Sequence, residues 1–226
     1  MKNLVLSSAL VFLTASALAS ILSVSVVDKD GKPVADAVVI VLPTNKSVMP
    51  ASPLSAQATI VQEKMQFVPN VSLVPVGAKL TFLNNDTWDH HVRSSPAGMG
   101  QFNATHAGFE FRLEGKSAGK PAKPVQVTLD KPGALSATLL GCFIHGSMRG
   151  YVYASESPWA AKTNAEGVAN FDNLPVGAAQ VKVWQADQLI DLPAQNLALT
   201  ASASKLNVQL SVVPRRPRVV TYDPSY

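Results

Sequence analysis

The chain is poor in the residues that crosslinked folds and most enzyme sites require. Its 226 residues include one cysteine, and charged side chains make up only 15% of the sequence. A single cysteine cannot form an internal disulfide, and a free thiol is a liability in an oxidising compartment unless it is buried or coordinated. The sequence shows no Ser-His-Asp order, no glycine-rich phosphate loop and no carboxylate pair suited to acid–base work. These absences argue against the common hydrolytic and phosphoryl-transfer enzymes.

Long hydrophobic runs are missing except at the N-terminus. Residues 1–19 carry the basic Lys2 near their start, continue with an apolar segment over 4–17 and end in small residues, which predicts a secretory signal peptide cleaved after Ala19. The alternative is a membrane anchor, but a span needs about 20 apolar residues and serine and threonine interrupt this segment. We therefore expect a periplasmic protein with no stable membrane insertion. The formal net charge of +4 gives no indication of nucleic-acid binding.

The remaining sequence has the period-two alternation of β-strands. Residues 79–82, 109–113 and 125–129 alternate apolar and polar side chains. The 16 prolines and 13 glycines separate short runs at turn positions, and no segment has a sustained 3.6-residue stripe. The pattern predicts an all-β fold made of sandwiches.

The most informative stretch contains the only cysteine. Cys142, His145 and Met148 are spaced as Cys-x2-His-x2-Met. A thiolate, an imidazole and a thioether on one loop suit copper better than zinc, calcium or magnesium. The alternative for a lone cysteine is a buried small hydrophobe.

A further ligand is expected upstream, where His90 and His91 follow an alternating run. Successive side chains on a strand face opposite sides, so only one of the two can point at a metal. Two histidines and a cysteine with a long axial methionine form the ligand set of blue-copper electron-transfer sites.

Two stretches together resemble the plastocyanin/amicyanin group of cupredoxins. The first reads Phe-x-Asn-Asn-Asp-x3-His-x-Val over residues 82–92, and the second covers residues 142–152. The short spacing to Met148 and the Arg-Gly that follows are closest to amicyanin. The chain is also similar to periplasmic plastocyanin-like proteins often labelled methylamine utilization protein. The resemblance covers roughly residues 58–154.

The resemblance implies one copper ion, cycling between Cu(II) and Cu(I), held by His90, Cys142, His145 and Met148. The His-x-Val pattern of the group favours His90 over His91. It also implies that Asn85 tethers the upstream ligand loop to the loop that carries Cys142. The alternative for Asn85 is an ordinary Asx-turn residue.

A surface patch is expected beside the ligand loop. The outer edge of His145 should approach the surface, and the apolar neighbours Phe143, Ile144 and Trp88 could form a small docking patch for a transient redox partner. His106 has no partner at ligand spacing and is interpreted as a surface-loop residue.

The two flanks share a different theme. Residues 21–41 hold two apolar runs around Asp-Lys-Asp-Gly-Lys-Pro, which predicts a hairpin. Residues 163–184 carry Thr-x3-Gly and Leu-Pro-x-Gly elements before another alternating run. Together they resemble the carboxypeptidase-regulatory, or transthyretin-like, β-sandwich, in which these elements normally follow one another closely. Here about 120 residues intervene.

The predicted fold is therefore a cupredoxin Greek-key β-sandwich inserted into a second small transthyretin-like β-sandwich, since insertion is tolerated at exposed turns. The alternative is two sequential sandwiches, with residues 20–44 adding strands to the cupredoxin. The predicted divisions are a signal peptide at 1–19, the first part of the flanking sandwich at 20–44, the cupredoxin domain at 45–154, the second flanking part at 155–213 and a basic flexible tail at 214–226.

The sequence predicts a periplasmic type 1 (blue) copper protein that carries single electrons between redox partners. Two alternatives remain: a periplasmic copper-binding or copper-delivery protein without a redox partner, and a β-sandwich interaction module that has lost its metal. Enzymatic turnover is not expected, because protein ligands fill all four positions and none is open to substrate.

Overall fold

The computed structural model describes residues 19–46, 49–50, 52–98, 108–117, 120, 122–129 and 137–215. Residues 1–18 of the predicted signal peptide, His106 and the tail beyond residue 215 lie outside this part of the chain. The described residues form β-strands and no α-helix, which confirms the all-β prediction. Nor do they include a helix with the length and hydrophobicity that a membrane crossing requires.

The strands are short and follow one another along the whole described chain. In chain order they are β1 (Ala19–Val27), β2 (Val38–Pro43), β3 (Gln57–Glu63), β4 (Gln66–Val68), β5 (Val71–Pro75), β6 (Lys79–Asn84), β7 (His90–Pro96), β8 (Glu110–Leu113), β9 (Val125–Thr128), β10 (Ala137–Cys142), β11 (Arg149–Ser155), β12 (Ala160–Lys162), β13 (Val168–Pro175), β14 (Gly177–Trp184), β15 (Gln195–Leu199) and β16 (Ser204–Gln209).

One sandwich, here called the flanking sandwich, is built from both ends of the described chain. β1 lies between β13 and β16 in one sheet, and the order β12-β2-β14-β15 makes the other. Their facing sides enclose an apolar core that includes Leu22, Val39, Phe171 and Val181. Residues 57–155 lie between β2 and β12 along the chain and contribute to neither sheet.

The hairpin predicted for residues 21–41 forms only at its turn, where Val27 and Pro33 make an antiparallel bridge. The full strands do not pair, because β1 and β2 lie in different sheets. The chain turns at Asp28, whose Oδ1 accepts hydrogen bonds from the backbone N–H groups of Asp30 (2.8 Å) and Lys32 (2.9 Å). It then crosses to the opposite layer. β2 is a continuous apolar run that is covered on both faces, which is typical of a central strand in a stack of sheets.

The second sandwich, here called the metal sandwich, spans residues 57–155. Its two sheets have the orders β5-β11-β10-β7-β8 and β4-β3-β6-β9. The core between them is formed by buried apolar side chains such as Ile60, Phe82, Val92 and Leu140. β11 ends at Ser155, one residue past the boundary predicted for this domain.

The two sandwiches pack face to face through a third apolar cluster. Ile40 of β2 and Trp184 of β14 belong to it, together with side chains on the outer face of the five-stranded sheet. The Trp184 ring lies 5.7 Å from the Tyr151 ring and 5.5 Å from the Tyr153 ring, between centroids. The flanking sandwich therefore covers part of one face of the metal sandwich. Its transthyretin-like character stays a prediction.

Candidate metal centre

Strand pairing brings the separated ligand candidates to one end of the metal sandwich. His90 is the first residue of β7 and Cys142 is the last residue of β10. The two strands are antiparallel, with Cys142 opposite Val92, so the start of one meets the end of the other. His145 lies in the turn that leads from β10 to β11.

Three side-chain donors converge there. The Cys142 Sγ lies 3.7 Å from the His90 Nδ1 and 3.5 Å from the His145 Nδ1, and the two nitrogens are 3.2 Å apart. A point equidistant from three such atoms lies about 2.0 Å from each, close to the distances of about 2.0–2.1 Å to nitrogen and about 2.3 Å to sulfur in zinc sites. The cluster is therefore the right size for one first-row metal ion. One thiolate and two imidazoles are donors that suit copper.

The side chains of His90 and His91 point in opposite directions, as the alternation of side chains along a strand requires. His90 is fully buried and points into the cluster. His91 points outward, where its Nε2 lies 2.8 Å from Glu110 Oε1 and its ring packs against Phe143 with centroids 5.9 Å apart. The side chain that the resemblance favours as ligand is thus the one that faces the cysteine.

Met148 closes the ligand loop from the other side. It is only 2% exposed and packs in the same apolar cluster as Cys142. Its backbone N–H donates to the His145 carbonyl (2.9 Å), and its carbonyl accepts from the Cys142 N–H (3.4 Å). These bonds fix the turn that carries the donors. The role of Met148 as axial ligand stays a prediction.

Asp86 is a site residue that the sequence reasoning missed. Its Oδ2 lies 2.9 Å from the His90 Nε2, and both side chains are buried. The carboxylate also accepts hydrogen bonds from the backbone N–H groups of Lys64 (2.7 Å) and Met65 (3.2 Å). Donation from His90 Nε2–H to Asp86 leaves Nδ1 free to bind a metal, as second contacts of ligand histidines do. An acidic residue four positions before a candidate ligand histidine was the available signal.

The buried amide of the Asn-Asn-Asp turn belongs to Asn84. Its Nδ2 donates to the carbonyls of Trp88 (2.8 Å) and Glu114 (3.1 Å), while its Oδ1 accepts from the Asp86 N–H (2.9 Å). Asn85 is exposed, and its backbone N–H donates to Gln62. The structure does not bring the Asn85 side chain to the donors, because alternation along β6 points Asn84 inward and its successor outward.

The electrostatics of the cluster favour a thiolate. Burial raises the pKa of the Cys142 thiol, but hydrogen bonds from His90 and from the neighbouring backbone outweigh it and bring that pKa to about 6. Burial lowers the pKa of His90, while Cys142 and Asp86 raise it, and the net change is upward. A thiolate is the form of cysteine that binds metals.

Comparison with known proteins found structural similarity over about half of the chain. No family model and no curated protein sequence matches it. Among solved structures, it is similar to amicyanin from Paracoccus versutus at 17% identity and a TM-score of 0.34, over 51% of this chain and 97% of that one. A purple cupredoxin from Nitrosopumilus maritimus matches at 17% identity and a TM-score of 0.33, over 43% of this chain and 99% of that one.

A copper-containing nitrite reductase from Thermus scotoductus matches at 21% identity and a TM-score of 0.35. The match spans 50% of this chain and 25% of that one. All three TM-scores lie below 0.5, so the assignment of the site depends on its own geometry.

Proposed function

We propose that this protein is a periplasmic type 1 copper protein. It holds one copper ion with His90, Cys142, His145 and Met148 and carries single electrons between redox partners. The observation that supports the proposal is the triangle of one sulfur and two nitrogen donors, with separations of 3.2 to 3.7 Å. It lies at one end of a β-sandwich.

Bound copper would supply one-electron chemistry by alternating between Cu(II) and Cu(I). The protein's part is to hold the donors in place in both states. Asp86 orients the His90 ring, and two backbone hydrogen bonds close the 142–148 turn. Burial of Cys142 and His90 excludes water from the donors. Small rearrangement between redox states is what an electron carrier needs.

Access to the site is limited to one edge. His90 and Cys142 are buried, whereas His145 is half-buried. Next to it, Phe143 is 72% exposed and Ile144 is 54% exposed. Two large apolar side chains beside the accessible ligand form a small patch of the kind that transient electron-transfer encounters use, often under about 1,200 Å². Trp88 is half-buried and lies on the neighbouring loop.

Copper titration of the purified protein tests the proposal. We expect one equivalent of Cu(II) to produce an intense visible band from thiolate-to-copper charge transfer, because Cys142 supplies the thiolate. Cys142→Ser should abolish the band, whereas Ser147→Ala, an exposed position on the same loop, should retain it. A band that survives in the serine variant would refute the ligand assignment.

Reduction and reoxidation of the copper-loaded protein distinguish an electron carrier from a copper-delivery protein. A carrier should keep its copper when reduced and be reoxidised without loss. Transfer of Cu(I) to a competing chelator at each reduction would favour delivery.

A further inference from the structure

The outer face of the five-stranded sheet is divided into a covered and an open part. Leu139 of β10 and Tyr151 of β11 pack against the flanking sandwich in the apolar cluster around Trp184. One row closer to the metal end, Gly141 pairs with Arg149, whose side chain is exposed. The flanking sandwich therefore leaves open the strip of sheet next to the ligand loop.

That open strip carries two arginines with a glycine between them. Gly141 lies opposite Arg93 of β7 on one side and opposite Arg149 of β11 on the other. Paired residues point to the same face of a sheet, so both guanidinium groups rise from the same surface. No atom lies within 4 Å of the position that a Cβ of Gly141 would take. We call Arg93, Gly141 and Arg149 the arginine strip.

Neither arginine of the strip forms an ion pair within the described residues. Both are exposed, and the arginines that do form ion pairs are Arg112 with Asp89 and Arg215 with Asp187. Glu110 lies opposite Arg93 along β8, but its carboxylate is 2.8 Å from His91. Two exposed guanidinium groups without an ion pair are thus open to an external group, with the Glu110 carboxylate beside one of them.

The surroundings fit a protein rather than a small ion. A groove of about 700 Å³ is lined by Arg93 and Gly141 of the strip, by Glu110 and by Phe143. Phe143 belongs to the exposed apolar pair described above, so the Arg93 guanidinium group and an apolar side chain border the same groove. Arginine and aromatic residues are enriched in protein–protein interfaces. An isolated small anion would not be expected to contact the apolar side chains beside the strip.

We propose that the arginine strip is the docking site of an acidic protein partner, whose carboxylates pair with Arg93 and Arg149 while an apolar part covers Phe143. Gly141 directly precedes Cys142, so the docked partner lies against the backbone of a metal ligand. The use of this contact for electron transfer rests on the proposed function. The contact itself does not, because it involves no metal ligand side chain.

The test is an NMR titration of the full chain with hexaglutamate, with and without Cu(I). We expect the largest shift changes at Arg93, Gly141 and Arg149, and weaker binding as salt is raised. Arg93→Glu with Arg149→Glu should weaken binding at least about fivefold. The matched control, Lys32→Glu with Lys205→Glu, makes the same change in net charge at exposed lysines of the flanking sandwich and should change binding less than about twofold.

Two results would overturn the proposal. One is an equal loss of binding in both double variants, which would mean that net charge alone attracts the peptide. The other is saturation of the strip by inorganic phosphate at the peptide's own carboxylate concentration, which would indicate a small-anion site. Because the titration is also run without copper, it remains decisive even if the protein does not bind copper.

Discussion

The flanking sandwich and the metal sandwich bury polar groups that have different roles. In the flanking sandwich, the buried Thr163 hydroxyl donates to Val34 O (2.7 Å) and accepts from Ala37 N–H (2.9 Å), which only fastens a turn. In the metal sandwich, a buried carboxylate, an imidazole and a thiol lie together at one end.

The buried polar groups of the two sandwiches differ in whether their hydrogen bonds are completed within the protein. Buried polar groups are costly unless hydrogen-bonded, and both sandwiches meet that requirement with backbone partners for most of them. The exceptions that point at one another are His90 Nδ1, Cys142 Sγ and His145 Nδ1. A metal ion would satisfy all three at once. Nothing of this kind occurs in the described part of the flanking sandwich.

The strongest test of this comparison is to replace each of the two neighbouring histidines in turn. His90→Ala should abolish the copper band, because His90 faces the cysteine. His91→Ala should leave the band largely intact, since its ring faces Glu110 on the outer surface. Visible spectra of the two copper-loaded variants decide this. The reverse pattern would overturn the choice of ligand.

A second test separates stability from metal binding. Trp184→Ala removes a nearly buried ring from the contact between the sandwiches and should lower the free energy of unfolding by about 3–5 kcal/mol. The copper spectrum of the folded variant should be unchanged, because the ring is remote from the donors in the layer order. Phe143→Ala, at an exposed position, should change stability by less than about 0.5 kcal/mol. A lost band in folded Trp184→Ala protein would mean that the flanking sandwich shapes the site.

Asp86 tests whether buried polar contacts support the ligands. Asp86→Asn weakens the acceptor for His90 Nε2–H and should reduce copper affinity about 10–100-fold. Asp36→Asn is the matched control, since Asp36 pairs with Lys162 in the flanking sandwich. Competition with a chelator of known affinity measures both. Equal affinities in the two variants would leave Asp86 with a purely structural role.

The smallest expected effect on binding is at Met148. A weak axial thioether favours the softer Cu(I) state and contributes little to affinity. Met148→Gln should therefore still bind Cu(II), with a lower reduction potential and an altered spectrum. Met49→Gln, at a 63% exposed position, should match the wild type. Voltammetry that shows no change for Met148→Gln would mean that Met148 does not face the metal.

The strand content and the proximity of Cys142 and His145 could be predicted because local patterns carry them, whereas the choice of His90 over His91 came from the resemblance to cupredoxins. Alternation marks strands, and the Cys-x2-His spacing places two donors on one turn. The placement of β1 and β2 in different sheets could not be predicted, because a short connection with turn residues looks the same whether the chain forms a hairpin or crosses between sheets. Val38 and Ile40 of β2 are buried because they pack against the metal sandwich. Local sequence patterns do not show this contact.

The contacts of the Asn-Asn-Asp turn were equally out of reach. Which asparagine points inward depends on where β6 ends, and element boundaries are the least certain part of a sequence reading. The Asp86 contacts come from Lys64 and Met65, more than 20 positions away along the chain. The arginine strip likewise arises from the register of three strands rather than from any motif.

The central claim is that one copper ion per chain exchanges one electron reversibly, and spectroelectrochemical titration of the copper-loaded protein tests it most directly. The account predicts that the visible band disappears on reduction and returns fully on oxidation, with one electron per chain in each direction. Loss of copper on reduction, or a band that does not respond to potential, would contradict it.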